Sequence, residues 1–326
     1  MAYSRPVPRR RLLTGAAGLL GAAALGGCRA REERGEPAGE YRKVVLAMPG
    51  WPGGQANAAV AGHLLERGWG VETQLRELST AEAWDQLDSG SVHAILEDWG
   101  GEPQKEALYA GEKGSVVPAG ALGVTGHVGW FVPRVWAERN PAVLHWENVN
   151  DFAGELRAGG TGRRGALLSG DPAHTTHDRA LIEQLGLDLE IVHTGSESAL
   201  IAAIREADRE RAPLLAYFWQ PHWLHTEVRL AEVRLPPYRA GCQDDPRTVA
   251  CGYPHTRLPK YLNAGFAEAG GEAARFLREF SWGAEDQNAV AALIAGQGMS
   301  PRAAAEAWAE ENPDRVAVWL PGPDRG

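Results

Sequence analysis

Two residue groupings in this chain could do chemistry: tryptophans at the ends of apolar runs, and histidines beside aspartates. Phe218–His225 reads FWQPHWLH, which places Trp219 and Trp223 on either side of Pro221, just after PLLAYF. Trp51 follows KVVLAM, and Trp99 closes VHAILEDW. Tryptophan offers a large face and the strongest cation–π attraction of the aromatic side chains. A quaternary ammonium cation has no N–H to donate, so ring faces are its natural partners. Three converging faces at about 1–2 kcal/mol each would supply roughly 3–6 kcal/mol. Micromolar binding needs about 8 kcal/mol, so polar contacts or closure of the site must add the rest. Packing is the competing reading, with the same rings in the core or at its rim. The chain has 12 Trp against 6 Phe and 7 Tyr, an inverted ratio that makes the question worth asking.

The second grouping is DPAHTTHD, with Asp171, His174, His177 and Asp178. His and Asp at this spacing could hold zinc for an exported metal-dependent hydrolase. The alternative is a solvated helix start with Asp171 as N-cap and Pro172 in the first turn. His222 and His225 follow no recognisable metal spacing. The nucleophile-elbow, phosphate-loop and zinc-protease motifs are missing from the sequence. PGWPGGQ is glycine-rich ahead of a helix but lacks the lysine of a phosphate loop. No cofactor is implied.

The net charge is −9, and residues 1–28 hold Arg5, Arg9, Arg10 and Arg11 with no acid, so without them it is −13. An acidic body argues against nucleic acid, whose phosphates need Lys and Arg. The arginines lead into an apolar run from Leu12 to Leu25 and then Gly26-Gly27-Cys28. That is the pattern of an export signal, and the apolar run is shorter than the about 20 residues of a membrane span. Leu25–Cys28 resembles a bacterial lipobox, which makes Cys28 a lipidation site and implies an extracytoplasmic protein held to the outer face of the cell membrane. RRRLL also resembles a twin-arginine signal. Residues 29–42 are charged, hold Gly and Pro, and read as a flexible tether. Cys242 and Cys251, close together in an exported chain, read as a disulfide.

Elements that must position these residues alternate along the chain. KVVLAM, GVETQLREL and VHAILEDW read as strands. Between them lie a helix from Gln55 that Gly68 stops and a helix opened by the capping box Ser79-x-x-Glu82. GHVGWFVP, GALLS, EIVHTG and PLLAYF are further strands, with helices expected from near Asp171 and after Ser196. The tail is helical, with caps at Ser281 and Ser300-Pro301. Strand–helix alternation predicts an α/β protein with a parallel sheet. Its double occurrence predicts two lobes with a cleft at the carboxyl ends of the strands.

The residues GW after the first strand, LEDW, GWFVP and FWQPHW, together with the tail from FLREFSWGAEDQN to AAEAWAEENPDRVAVWL, resemble the substrate-binding proteins of ABC importers for glycine betaine, choline and related osmolytes. The likeness runs from about Lys43 to Leu320. It implies a two-lobed periplasmic-binding-protein-like fold with a hinge, lobe one being 43–125 and 231–320 and lobe two 126–230. It implies an aromatic cage of Trp51, Trp99 and Trp219, with Trp130 as a fourth candidate. Asp171 and His174 are candidates for polar ligand contacts, and Tyr253 for the rim. Choline binders of the family often carry an acid two residues after the first cage Trp, where this chain has Gly53. The implied partners are a small quaternary amine, an ABC permease with its ATPase, and the membrane through the lipid. The receptor itself is expected to be a monomer and not an enzyme. The same fold could instead take an amino acid or another osmolyte, anchored by Asp98 or Asp171.

Overall fold

The computed structural model of the chain describes residues 41–172 and 176–320. The expected signal, Cys28 and His174 lie outside these residues. Among the described residues, no helix is long and apolar enough to cross a membrane.

In chain order the elements are β1 (Lys43–Met48), α1 (Pro52–Trp69), β2 (Glu72–Glu77), α2 (Thr80–Asp88), β3 (Ala94–Ile95), α3 (Pro103–Glu106), β4 (Val116–Pro133) and α4 (Arg134–Arg139). Then come β5 (Gly165–Ser169), α5 (Asp178–Gln184), β6 (Leu189–His193), α6 (Glu197–Glu210), β7 (Leu215–Gln220), β8 (Leu230–Val233) and β9 (His255–Asn263). Five helices complete the chain: α7 (Ala264–Ala269), α8 (Gly271–Glu279), α9 (Ala284–Ala295), α10 (Pro301–Glu311) and α11 (Pro313–Ala317).

Local signals explain many of these boundaries. The capping box at α2 forms in full, Ser79 Oγ accepting from the Glu82 N–H while Glu82 accepts from the Ser79 N–H. Ser196 and Ser300 cap α6 and α10. α1 runs on past Gly68 to Gly70, whose φ of +64° suits a residue without a Cβ. Two expected helix starts differ. α5 begins at Asp178 and not near Asp171, since β-branched Thr176 and its neighbours favour turn over helix. α9 is entered through Gly283, with no side-chain cap from Ser281.

The strands form one mixed sheet in the order β2-β1-β3-β9-β4-β7-β5-β6, with β8 also paired to β4. The parallel pairs expected from the alternation are present as β1–β2, β1–β3, β5–β6 and β5–β7. Two antiparallel strands stitch these halves together. β4 pairs with β9 from Val116 to His127, then with β7 from His127 to Phe131 and with β8 from Trp130 to Pro133. The crossing between the halves therefore lies where β4 changes partner, near Thr125–His127 opposite His255–Arg257.

The return crossing lies later than residue 231. β8 pairs with β4, His145 bridges to Arg234, and Val233, Val249 and Cys251 are buried with Trp130, Trp136, Leu181 and Leu189. Residues 231–254 thus pack with the second half of the molecule. Cys242 and Cys251 are bonded across this segment, with Cα atoms 6.3 Å apart. A larger core surrounds α1, α8, α9 and α10 and takes in Phe218, Trp219 and Trp223. Burial of each such large side chain contributes about 1.5–3 kcal/mol. Lys260 of β9 is fully buried and donates to the carbonyls of Leu277, Arg278 and Phe280 at the end of α8. The ammonium supplies donors to carbonyls that the helix C-terminus leaves unpaired, while burial lowers its pKa to about 8.

Candidate functional site

Trp51 stands in extended backbone (φ −93°, ψ 145°) between β1 and α1, with Pro52 opening the helix. Its indole folds back over Gly54, where an added Cβ would lie 2.9 Å from Trp51 Nε1. Trp99 follows β3, and its ring fills the space that a side chain at Gly126 would need. Trp219 sits at the end of β7 before the cis Gln220–Pro221 bond. It stacks on Phe218 at 4.7 Å and meets His222 edge-on at 5.2 Å.

These three rings line one cavity. Gly53 and Glu97 join Trp51 and Trp99 on its walls, Pro221, His222 and Trp223 join Trp219, and α9 contributes Gln287 and Asn288. Trp223 is nearly fully buried and has Arg205 over its ring at 5.1 Å. A second, mostly apolar cavity shares Trp51 and Glu97 and is bounded by Leu78, Ala83 and Ile95.

Glu97 ties two of these rings together. Its Oε1 accepts from Trp51 Nε1 at 2.7 Å and Trp99 Nε1 at 2.6 Å. Its Oε2 accepts from Gln287 Nε2 at 2.5 Å and from Asn57 Nδ2. Asn57 Oδ1 in turn accepts from Trp282 Nε1 at 2.8 Å. Burial raises the Glu97 pKa, and the four hydrogen bonds oppose that shift. Sequence reasoning named Trp99 in LEDW and passed over its neighbour Glu97. Asp98, the expected anchor for an amino-acid ligand, is occupied elsewhere. It accepts from Trp84 Nε1 at 3.0 Å and the Gly100 N–H at 2.5 Å, and burial raises its pKa.

Of the remaining candidates among the described residues, Trp130, Asp171 and Tyr253 are not on the walls of this cavity. Trp130 is fully buried in the second-half core, where its Nε1 donates to Asp178 Oδ1 at 2.7 Å. Tyr253 donates to the same oxygen at 2.8 Å and accepts from the His177 N–H at 3.0 Å. Burial raises the Asp178 pKa. The strand alternation explains Trp130: Trp130 and Val132 enter one core and Phe131 the other. Asp171 lies half-buried in the turn after β5. Among the described residues, no group of three His, Cys, Asp or Glu side chains is arranged to hold a metal.

Comparison with known proteins agrees with this geometry. Residues 42–311 match the family described as the substrate binding domain of ABC-type glycine betaine transport systems. The chain is 26% identical over 293 residues to the trimethylamine N-oxide-binding protein of Pelagibacter ubique, covering 86% of this chain and 90% of that one. It is 30% identical over 134 residues to the glycine betaine/carnitine transport binding protein GbuC of Listeria monocytogenes, covering 41% and 40% of the two chains. Among solved structures, lactococcal OpuAC in its closed form with glycine betaine superposes with a TM-score of 0.66 at 20% identity, covering 86% of this chain and 99% of that one. A choline-binding protein in complex with choline gives 0.66 at 21% identity, covering 89% and 96%. These likenesses establish the two-lobed fold, and the match over 42–311 places this chain in the OpuAC family of substrate-binding domains of ABC-type glycine betaine transport systems, a family of binding proteins and not of enzymes.

Proposed function

We propose that this chain is the extracytoplasmic receptor of an ABC importer and that Trp51, Trp99 and Trp219 cage the methylated ammonium of glycine betaine or a related quaternary amine. The observation that carries this reading is the meeting of the three indoles at one cavity, two of them tied through their N–H groups to a single buried carboxylate. With their edges so held, the rings are left with their faces for the ligand. Lobe one supplies Trp51 and Trp99 and lobe two supplies Trp219, so a ligand touching all three favours the closed form. The closed receptor docks on a permease driven by a cytosolic ATPase. A lipid on Cys28 keeps it at the membrane face. The partners follow from the family, the lipid from the sequence pattern alone.

Calorimetric titration of Trp99→Ala and Trp219→Ala tests the cage. Each variant removes one face and should weaken binding by about 1–2 kcal/mol, roughly 5- to 30-fold. Wild-type affinity in both variants would sink it.

A further inference from the structure

The two crossings between the halves lie side by side. β4 crosses near Thr125–His127 and the chain returns at His255–Arg257, the segments pairing antiparallel as Thr125–Arg257, Gly126–Thr256 and His127–His255. His127 is also where β4 takes up β7, opposite Gln220. On either side of this point β4 is bound into one half, so a change of angle between the halves must bend this short ribbon.

His127 and His255 close the ribbon as a pair. Their rings stack with centroids 4.0 Å apart and planes 19° from parallel. Glu232 reaches His127 from β8, its Oε1 lying 2.6 Å from Nε2. It passes over Gly129, where a Cβ would lie 3.1 Å from Glu232 Oε1 and 3.5 Å from His127 Nε2. The second half thus grips the first crossing through Glu232, and the ring stack ties that crossing to the return.

Both nitrogens of His127 face acceptors, Nε2 the Glu232 carboxylate and Nδ1 the Pro254 carbonyl at 3.5 Å. Neither a carbonyl nor a carboxylate can donate, so a ring protonated at both nitrogens suits this setting. The hydrogen bond to Glu232 raises the His127 pKa in the same sense. Among the described residues, the other groups around His127 are few. β9 brings exposed His255 and, two residues on, Arg257, while β7 sets uncharged Gln220 opposite. Beyond Gly129 on the same face, Phe131 meets His225, whose pKa burial lowers. A neutral His255 can stack on a charged His127. Two charged rings 4.0 Å apart repel, and Arg257 adds to the same sign.

We propose that His127, His255 and Glu232 form a pH-sensitive clamp on the hinge of this receptor. With one proton on the histidine pair, the stacked rings and Glu232 hold the two crossings together, in the conformation whose cavity takes walls from both halves. In acid a second proton drives the rings apart while Glu232 keeps its hold on His127. The end pair of the ribbon loosens and the open form gains. A ligand that needs both halves then binds more weakly, because apparent affinity scales with the fraction of competent conformer. The clamp is separate from the cage, since none of its three residues lines the cavity.

Small-angle scattering of the purified, ligand-free chain at pH 8 and pH 5 tests the first step. The radius of gyration should increase at pH 5 in wild type. His255→Gln, checked for folding by its melting transition, cannot take the second proton and should keep its pH 8 radius at pH 5. An unchanged wild-type radius, or the same increase in folded His255→Gln, overturns the clamp. Calorimetric titration with glycine betaine and choline tests the second step. Neither probe gains or loses a proton over this range, so a shift belongs to the protein. The Kd of the tighter probe should rise at least threefold from pH 8 to pH 5 in wild type and less than twofold in His255→Gln, with the two proteins equal at pH 8. His222, on the cavity wall, is common to both proteins, so its effect cancels. An equal rise in both overturns the clamp. No binding of either probe overturns the quaternary-amine reading, and scattering then decides the clamp by itself.

Discussion

Gly126→Ala offers a test of the cage from outside it. Gly126 does not line the cavity, yet a Cβ there would lie 2.6 Å from Cζ3 and 2.7 Å from Cη2 of Trp99, and 2.9 Å from Leu258 Cδ2. Carbon atoms settle at about 3.5–4.0 Å, so the Trp99 ring must retreat by about 1 Å. It cannot slide freely, because its Nε1 is held by Glu97 Oε1 at 2.6 Å. The ring must pivot on that bond and tilt its face relative to Trp51 and Trp219. Loss of one well-placed face costs about 1–2 kcal/mol of binding, or roughly 5- to 30-fold in Kd. The overpacking itself should cost about 1–3 kcal/mol of stability. Titration calorimetry with the tightest quaternary amine reads the first effect and thermal melting the second. A variant that melts lower but binds with wild-type affinity would refute the claim that Trp99 is a cage wall whose position Gly126 sets.

Three further outcomes follow from the fold. Replacing both Cys242 and Cys251 by Ser opens a loop of nine-residue separation and should cost about 2.5–3 kcal/mol in denaturant unfolding, because the unfolded chain is no longer constrained. Ser79→Ala removes the α2 capping box and should cost about 1 kcal/mol of stability with no change in ligand affinity. His127 of β4 is held by Glu232 Oε1 at 2.6 Å and stacks on His255 at 4.0 Å, and the hydrogen bond to Glu232 raises its pKa. The stability from this contact is fully present below the unfolded value of about 6.5 and is lost as pH rises through the folded one. Unfolding followed from pH 5 to pH 9 should show that loss in wild type, and Glu232→Gln should flatten it.

That Trp51, Trp99 and Trp219 would lie near one another was legible because each ends an apolar run beside Gly or Pro, at the carboxyl ends of strands, and all three line one cavity. What escaped the sequence depends on contacts distant along the chain. Glu97, read as part of the strand VHAILEDW, shows its role only when Asn57 and Gln287, 40 and 190 residues away, arrive as its donors. The crossing between halves was placed near residue 231 because the segment up to Tyr253 has no apolar period to show which core it joins. Its attachment comes from β8, the disulfide and a few buried residues such as Val249. β9 was missed for a related reason: Pro259 and Lys260 interrupt its apolar pattern, although Lys260 is buried because three carbonyls hold its ammonium. Trp130 shows the opposite hazard. A tryptophan in a resembling motif reads as a cage candidate, and strand alternation turns it into the second core.

The most direct measurement is a calorimetric titration of the purified chain with matched pairs: glycine betaine against glycine, and choline against ethanolamine. The aromatic cage predicts saturable binding of at least one methylated member, with its unmethylated counterpart at least a hundredfold weaker. Equal binding of the two members of each pair, or binding of neither pair, would contradict it.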